Sequence, residues 1–404
     1  MIERLFVCYI AGLDFRRVNG TNTPYIASLF PHFPWMGIRS VPSSDYLPIM
    51  LTGLYPPEHG MEIRIKSNVS ESLICDLLDR VPEGLTTTFQ CLIHLFNSSY
   101  DLATVPFWRR RRLEINRTRY ISKEVVNLLQ FDGNESIFKI LGENNSRYVE
   151  IKGIDRFITS LDKINFGVHE LVMMEDYSVD LLQHWYLDDM DRIIEYYKFI
   201  DHFFKILHIK LQKRNYTLML LSDHGQEPIK GTVDIISKIK SIGLHRKEYT
   251  YYVEAYRARF WFHTDRARGK ISEVLSTIEN GVVLSFQDLN NYNLNFQNSD
   301  YGELFFLVDP GFIIFPHDFY HPLANLYLGM TDKHQRSRIF NPKHRGYHHY
   351  LPHNESEKGF MLLLDDSYHV AKQEAELIDF APTVLKLLGY EKPDYMKGNC
   401  VFTN

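Results

Sequence analysis

Residues 216–225 read YTLMLLSDHG. Leu218 to Leu221 is an unbroken apolar run, and it ends in Ser222, Asp223, His224 and Gly225. A short apolar run closed by polar, turn-forming residues is the pattern of a strand covered on both faces. The preceding stretch, residues 190–215, has another period. Ile193, Ile194, Tyr197, Ile200, Phe203, Phe204 and Leu207 recur at helical spacing, as on an amphipathic helix. A helix feeding a doubly covered strand belongs to a parallel sheet with helices on its faces. The carboxyl ends of such strands are where open α/β sheets bind ligands. Asp223 and His224 stand at that end, as a tight turn or as half of a cation site, and the stretch alone leaves both open.

Working outward, RLFVCYIAGL (4–13) reads as a second buried strand ending near Ala11-Gly12. TPYIASLF (23–30) follows as a helix start, with Thr23 as N-cap and Pro24 in the first turn. SVPSSDYLPIMLTGLYPPEHG (40–60) reads as strand end, turn, helix and Pro-rich loop, and FGVHELVMMEDYSVDLLQHWYL (166–187) as strand, loop and helix. GFMLLL (359–364) is a late strand, and ELIDFAPTVLKLLGY (376–390) is a helix with Gly389 placed to end it. Between these, residues 245–340 change character, with alternating aromatics in YTYYVEAYRARFWFH, Asn-rich turns and the hairpin-like ELFFLVDPGFIIF. Residues 61–165 are mixed, with a capped helix expected at SESLICDLLDRV (70–81). The expected architecture is α/β: a core from residues 1–244 and 341–404, with a smaller α+β subdomain inserted at 245–340.

With 45% hydrophobic and 24% charged residues the chain is globular, and its 27 Phe and 25 Tyr exceed what a surface would carry. A net charge of −5 supplies no field for binding nucleic-acid duplexes. The one dense basic run, WRRRRL (108–113), reads as a solvated face or a local phosphate patch. Cys8, Cys75, Cys91 and Cys400 are scattered, without CxxC or finger spacing. No apolar stretch approaches the length of a membrane span, and the first apolar run is short for a signal peptide. The expected compartment is the reducing cytoplasm, which leaves the sequons at Asn68 and Asn97 without a role.

Four stretches carry candidate chemistry, each with a plainer alternative. Asp223-His224 offers a carboxylate and an imidazole, or a turn. Asp180 and His184, four apart, share a face if their segment is helical, and either hold a cation together or are solvated. KHRGYHHYLPH (343–353) supplies His344, His348, His349 and His353, as a ligand source or a surface loop. Ser43 and Ser44 stand between a strand and a helix, as caps or as a nucleophile facing an anion.

The order and spacing of these stretches resemble the alkaline phosphatase superfamily, in its type I phosphodiesterase/nucleotide pyrophosphatase branch. Thr52-Gly53, Pro56 and His59-Gly60 match the motif TG-x-x-P-x-x-HG, and Ser43 lies nine residues before Thr52, where that branch has its nucleophile. Asp180 and His184 match D-x-x-x-H, residues 222–225 match SDHG, HHYLP from His348 resembles the late HGYLP, and residues 379–389 match D-x-A-P-T-x-L-x-x-L-G. The resemblance implies a three-layer α/β/α sandwich with a mostly parallel sheet. It also implies two divalent cations, expected to be zinc, one held by Asp180, His184 and His348 and the other by Asp223, His224 and Ser43. His349 and His353 remain alternatives to His348. The implied activity is hydrolysis of a small phosphodiester or nucleotide pyrophosphate through a phosphoserine at Ser43.

Two positions depart from the pattern. Where the branch opens with the Asp of a metal-binding Asp-Gly, this chain has Ala11, which binds no cation, with Asp14 and Asp45 as possible recruits. Tyr46 stands where many members have an Asn three residues after the nucleophile, and its hydroxyl is a candidate phosphate donor. The rival reading is a non-catalytic member of the fold holding a phosphorylated ligand or partner. A sulfatase would need C/S-x-P-x-R, and SSDYLP lacks it.

Overall fold

The computed structural model describes residues 1–43, 46–60, 65–67, 77, 80–96, 104–115, 130–131, 134–142, 144–151, 154–160, 169–320, 326 and 342–404. Ser44, Asp45, Cys75, both sequon asparagines and most of the helix expected at 70–81 lie outside them. The chain falls into two compact units, residues 1–60, 121–228 and 345–404, and residues 61–120 and 229–344. The second unit therefore takes in 61–120 and 229–244 as well as the 245–340 segment singled out from the sequence.

The first unit is built on seven strands: β1 (Leu5–Ile10), β2 (Trp35–Arg39), β3 (Ser146–Glu150), β4 (Leu171–Asp176), β5 (Thr217–Ser222), β6 (Lys358–Leu363) and β7 (Ala375–Glu376), in the order β7-β2-β6-β5-β1-β4-β3. Pairing is parallel for β1 with β4 and β5, β3 with β4, and β2 with β7. Only β6 among these runs antiparallel, to β5 and to β2. The carboxyl ends of β1, β4 and β5 thus share one edge with the amino end of β6.

Strand β1 lies inside the sheet, next to the central β5, with every side chain buried, and its pleat divides them between two cores. Leu5, Val7, Tyr9 and Ala11 join the core that includes α2 (Leu47–Thr52) and α5 (Phe380–Leu387). Phe6, Cys8 and Ile10 join the other, which includes α1 (Pro24–Leu29) and α4 (Met190–Gln212). Helix α3 (Ser178–Tyr186) leads from β4 into α4. Helices on both faces of a mostly parallel sheet give the expected three layers. The stripe from Ile193 to Leu207 is the buried face of α4, except that Ile194 falls beside it. Gly389 ends α5 in the left-handed region (φ 87°).

The start of α1 is settled differently from the sequence reading. Thr23 precedes the helix but makes no side-chain cap, and its Oγ1 accepts from the Asn19 N–H. Asp201 of α4 accepts from Tyr25 N at 3.0 Å and Ile26 N at 2.8 Å, so a distant carboxylate satisfies the first turn.

The second unit contains a four-stranded antiparallel sheet of Tyr249–Val253, Arg257–Phe262, Leu304–Val308 and Gly281–Ser285, in that order, with a helix at Asp265–Ser276. The hairpin expected in ELFFLVDPGFIIF does not form. Leu304–Val308 stays in this sheet, while Phe312–Ile314 pairs in parallel with Gly231–Val233. The basic run is neither solvated face nor phosphate patch at Arg109. That guanidinium is buried and makes paired bonds to the Asp318 carboxylate at 2.6 and 2.8 Å, over the Tyr251 ring. Among the described residues, no helix is long and apolar enough to cross a membrane.

Candidate metal centre

The shared sheet edge collects acid and imidazole side chains from three parts of the first unit. Asp180 sits in the first turn of α3, just past β4, and His184 one turn on. Helical spacing puts them on one face, and His184 Nε2 is 3.4 Å from Asp180 Oδ1. Asp223 and His224 follow β5 directly, and His348 precedes β6 by ten residues. His348 Nε2 lies 3.5 Å from Asp180 Oδ1, and His224 Nε2 lies 3.9 Å from it. Asp180, His224 and His348 form a group whose ligand atoms all fall within 4.8 Å of one another. Bonds of about 2.0–2.1 Å to a tetrahedral zinc put neighbouring ligand atoms ~3.4 Å apart, so the donor types and spacing fit one cation.

Outer hydrogen bonds aim these side chains. His224 Nδ1 is 2.8 Å from Gly225 O and His184 Nδ1 is 3.0 Å from Gly346 O. A carbonyl only accepts, so both rings carry their proton on Nδ1; His184 turns Nε2 toward Asp180, and His224 turns Nε2 toward Asp223 and Asp180. Gln226 Nε2 donates to Asp180 Oδ1 at 2.6 Å and to its backbone oxygen at 3.0 Å. The chain turns beneath Asp180 at Gly12 (φ 71°), where a Cβ would stand 3.0 Å from the Asp180 Cα and Cβ.

The expected second set is gathered less completely. Asp223 is buried with both oxygens occupied: Oδ2 accepts from the Tyr9 hydroxyl at 2.6 Å and faces His224 Nε2 at 3.3 Å, and Oδ1 accepts from Gly12 N at 3.0 Å. Burial raises the Asp223 carboxyl above its ordinary range, partly offset by His224 and the two donors. Burial works against a charged His224, but the Asp223 and Asp180 carboxylates outweigh it and raise the ring's pKa. Ala11 is buried at the end of β1, its N–H bonded to Asp176 O. Asp14 lies against Gly225 but is engaged by basic groups, accepting from Arg16 N and Nε at 3.0 Å and from the Arg17 guanidinium. Ser43 is buried in the connection between β2 and α2.

The late histidines separate clearly. His348 reaches Asp180, His349 turns with φ 73° to place Nδ1 2.9 Å from the Tyr46 hydroxyl, and His353 is exposed. Tyr46 also lies 3.2 Å from Glu357 Oε2, which accepts from His349 N at 3.1 Å. Burial pushes the Glu357 carboxyl up to about 7, against the lowering effect of His224 and nearby N–H groups. Tyr9, Gln226 and Glu357 escaped the sequence reading. Gln226, two residues past His224, had a positional signal, while Tyr9 looked like strand filling.

A sequence model described as type I phosphodiesterase/nucleotide pyrophosphatase matches residues 98–316, more than half of the chain. The chain belongs to this family. It is thereby a phosphoric ester hydrolase by descent, on an alkaline phosphatase-like fold. No curated protein sequence matches it. Among solved structures, murine ectonucleotide pyrophosphatase/phosphodiesterase 5, an inactive variant in complex with AMP, aligns with a TM-score of 0.61 at 13% identity, over 96% of this chain and 95% of that one. Human ectonucleotide pyrophosphatase/phosphodiesterase 5 aligns with a TM-score of 0.60 at 14% identity, over 98% and 97%. At such identities the likeness speaks for the fold.

Proposed function

We propose that the chain is a cation-dependent phosphodiesterase or nucleotide pyrophosphatase, acting on a small phosphodiester or nucleotide. The observation that carries this reading is the convergence of three imidazole Nε2 atoms on Asp180 Oδ1, at 3.4, 3.5 and 3.9 Å. A divalent cation bound there, zinc by its donor set, supplies Lewis-acid polarisation of a phosphoryl oxygen. Asp180, His184 and His348 would hold it and leave a position open, His224 lies between Asp180 and Asp223, and Gln226 and the backbone oxygens of Gly225 and Gly346 would keep the side chains oriented. Ser43 Oγ is the proposed nucleophile. Its attack on phosphorus breaks the bond to one ester oxygen, which leaves with the serine proton, and joins the serine to the remaining phosphoester; water then breaks that P–Oγ bond, releasing a phosphate monoester and restoring the Ser43 hydroxyl. Tyr46 keeps its hydroxyl on Glu357 and His349, so contact with a phosphate oxygen requires it to exchange partners.

One observation favours the rival reading of binding without turnover: Ala11 leaves the edge one carboxylate short. An aryl phosphodiester assay with zinc distinguishes the two. Turnover that disappears in Ser43→Ala and with a chelator supports hydrolysis. AMP binding without turnover, unchanged in Ser43→Ala, supports the rival.

A further inference from the structure

We infer that Glu357 is a positioning residue for Ser43: it fastens both ends of the connection that carries the proposed nucleophile and ties that connection to the turn carrying His348. The inference rests on the proposed function above.

Glu357 directly precedes β6, and Ser40 directly follows β2, its antiparallel neighbour, where Lys358 pairs with Arg39. The backbone oxygen of Glu357 accepts from Ser40 N at 3.1 Å and carries the pairing one residue past the strand. The carboxylate reaches the other end of the connection, where Oε2 accepts from the hydroxyl of Tyr46, the residue before α2, at 3.2 Å. Ser43 lies midway, in a tight turn closed by its own N–H on Val41 O at 2.7 Å. One residue thus anchors the chain on both sides of Ser43. The same Oε2 accepts from His349 N at 3.1 Å, and Oε1 accepts from Ser356 Oγ at 3.2 Å. Glu357 and Ser43 are both fully buried. A buried carboxylate is tolerated only where donors surround it, so Glu357 favours the one arrangement that brings these segments to it.

The turn at His349 completes the link. His349 has φ 73°, a left-handed conformation that a residue with a side chain holds only where its surroundings require it. It lets neighbouring imidazoles serve different partners. His348 Nε2 lies 3.5 Å from Asp180 Oδ1, and His349 Nδ1 lies 2.9 Å from the Tyr46 hydroxyl. A phenol has one proton to give. With that proton on Glu357, His349 Nδ1 carries the proton donated to the phenol oxygen. Tyr46 is held from two sides, and a hydrogen-bonded strap, not packing alone, places Ser43 relative to His348.

The test is steady-state turnover of an aryl phosphodiester at saturating zinc, for the wild type, Tyr46→Phe, Glu357→Met and the double variant, each checked for the wild-type circular dichroism. A misplacement of about 1 Å costs roughly 10²-fold in rate, so Glu357→Met should lower kcat by about that factor with KM little changed. Tyr46→Phe should lower kcat less, and should add nothing in the Glu357→Met background, because both changes break one strap. Glu357→Gln keeps an acceptor for Tyr46 and His349 and should recover most of the loss. A rise in KM at unchanged kcat in Glu357→Met overturns the inference. So do losses that multiply in the double variant, which would put Tyr46 on the substrate independently of Glu357, and a Glu357→Gln no better than Glu357→Met. If Glu357→Met does not fold, Tyr46→Phe decides: a lower kcat at unchanged KM upholds the inference, and an unchanged kcat overturns it. No turnover in the wild type overturns the proposed function itself, and this inference with it.

Discussion

Gln226 shows how much of the centre depends on residues that touch no cation. Its amide donates to Asp180 Oδ1 at 2.6 Å, fixing the carboxylate that three imidazoles face. Losing such an outer partner weakens metal affinity by roughly 10–100-fold. Gln226→Leu should therefore lower zinc affinity by about that factor in a chelator competition, with the fold unchanged. Gly12 acts through shape. Its left-handed backbone and the 3.0 Å approach to Asp180 both reject a side chain. Gly12→Ala should cost about 1–3 kcal/mol in chemical denaturation, while Gly20→Ala, with nothing within 4 Å of its Cβ, should fall within about 0.5 kcal/mol of wild type. The sequence made part of this scale legible. Asp180 and His184 were visible through helical spacing, and Asp223-His224 through the abrupt end of an apolar run. Tyr9 was not, because a tyrosine in a buried strand reads as packing until the register of β1 on β5 brings its hydroxyl to Asp223.

At the scale of elements, local signals located segments better than they located their partners. The buried strands β1 and β5 and the stripe of α4 carry their own period, so their places followed from the residues. The cap of α1 does not, since Asp201 lies 175 residues from Ile26. Asp201→Ala should strip two first-turn N–H groups of their acceptor and destabilise the unit by about 1–2 kcal/mol in a denaturant titration. The approach to β6 adds a pH dependence. Glu357 titrates at about 7 in the folded chain, above the ordinary 4.5, because it is buried. The folded state then holds this proton to higher pH than the unfolded chain does. The stability it contributes is full below about pH 4.5 and is lost as pH rises toward 7. A shift of this size corresponds to a ceiling on the order of 3 kcal/mol. Melting temperature should fall over that window in the metal-free wild type and stay flatter in Glu357→Gln, which would be the more stable protein above pH 7. Equal slopes in the two proteins would remove Glu357 from this role.

Across the molecule, ligands set far apart in sequence share one edge because of the strand order. β4, β5 and β1 lie side by side with parallel directions, so Asp180, Asp223, His224 and the turn at Gly12 emerge together. Antiparallel β6 brings its amino end to the same edge, and with it His348 and Glu357. This explains why the ordered motifs announced the fold, while composition marked 245–340 without showing that residues 61–120 group with them in one compact unit. The account's central claim is that this edge binds a divalent cation through Asp180. Calorimetric titration of the metal-free protein with zinc tests it directly, with Asp180→Ala as the comparison. Saturable binding in the wild type that weakens at least 100-fold in a folded Asp180→Ala is the predicted result. Equal zinc affinity in the two proteins would contradict it.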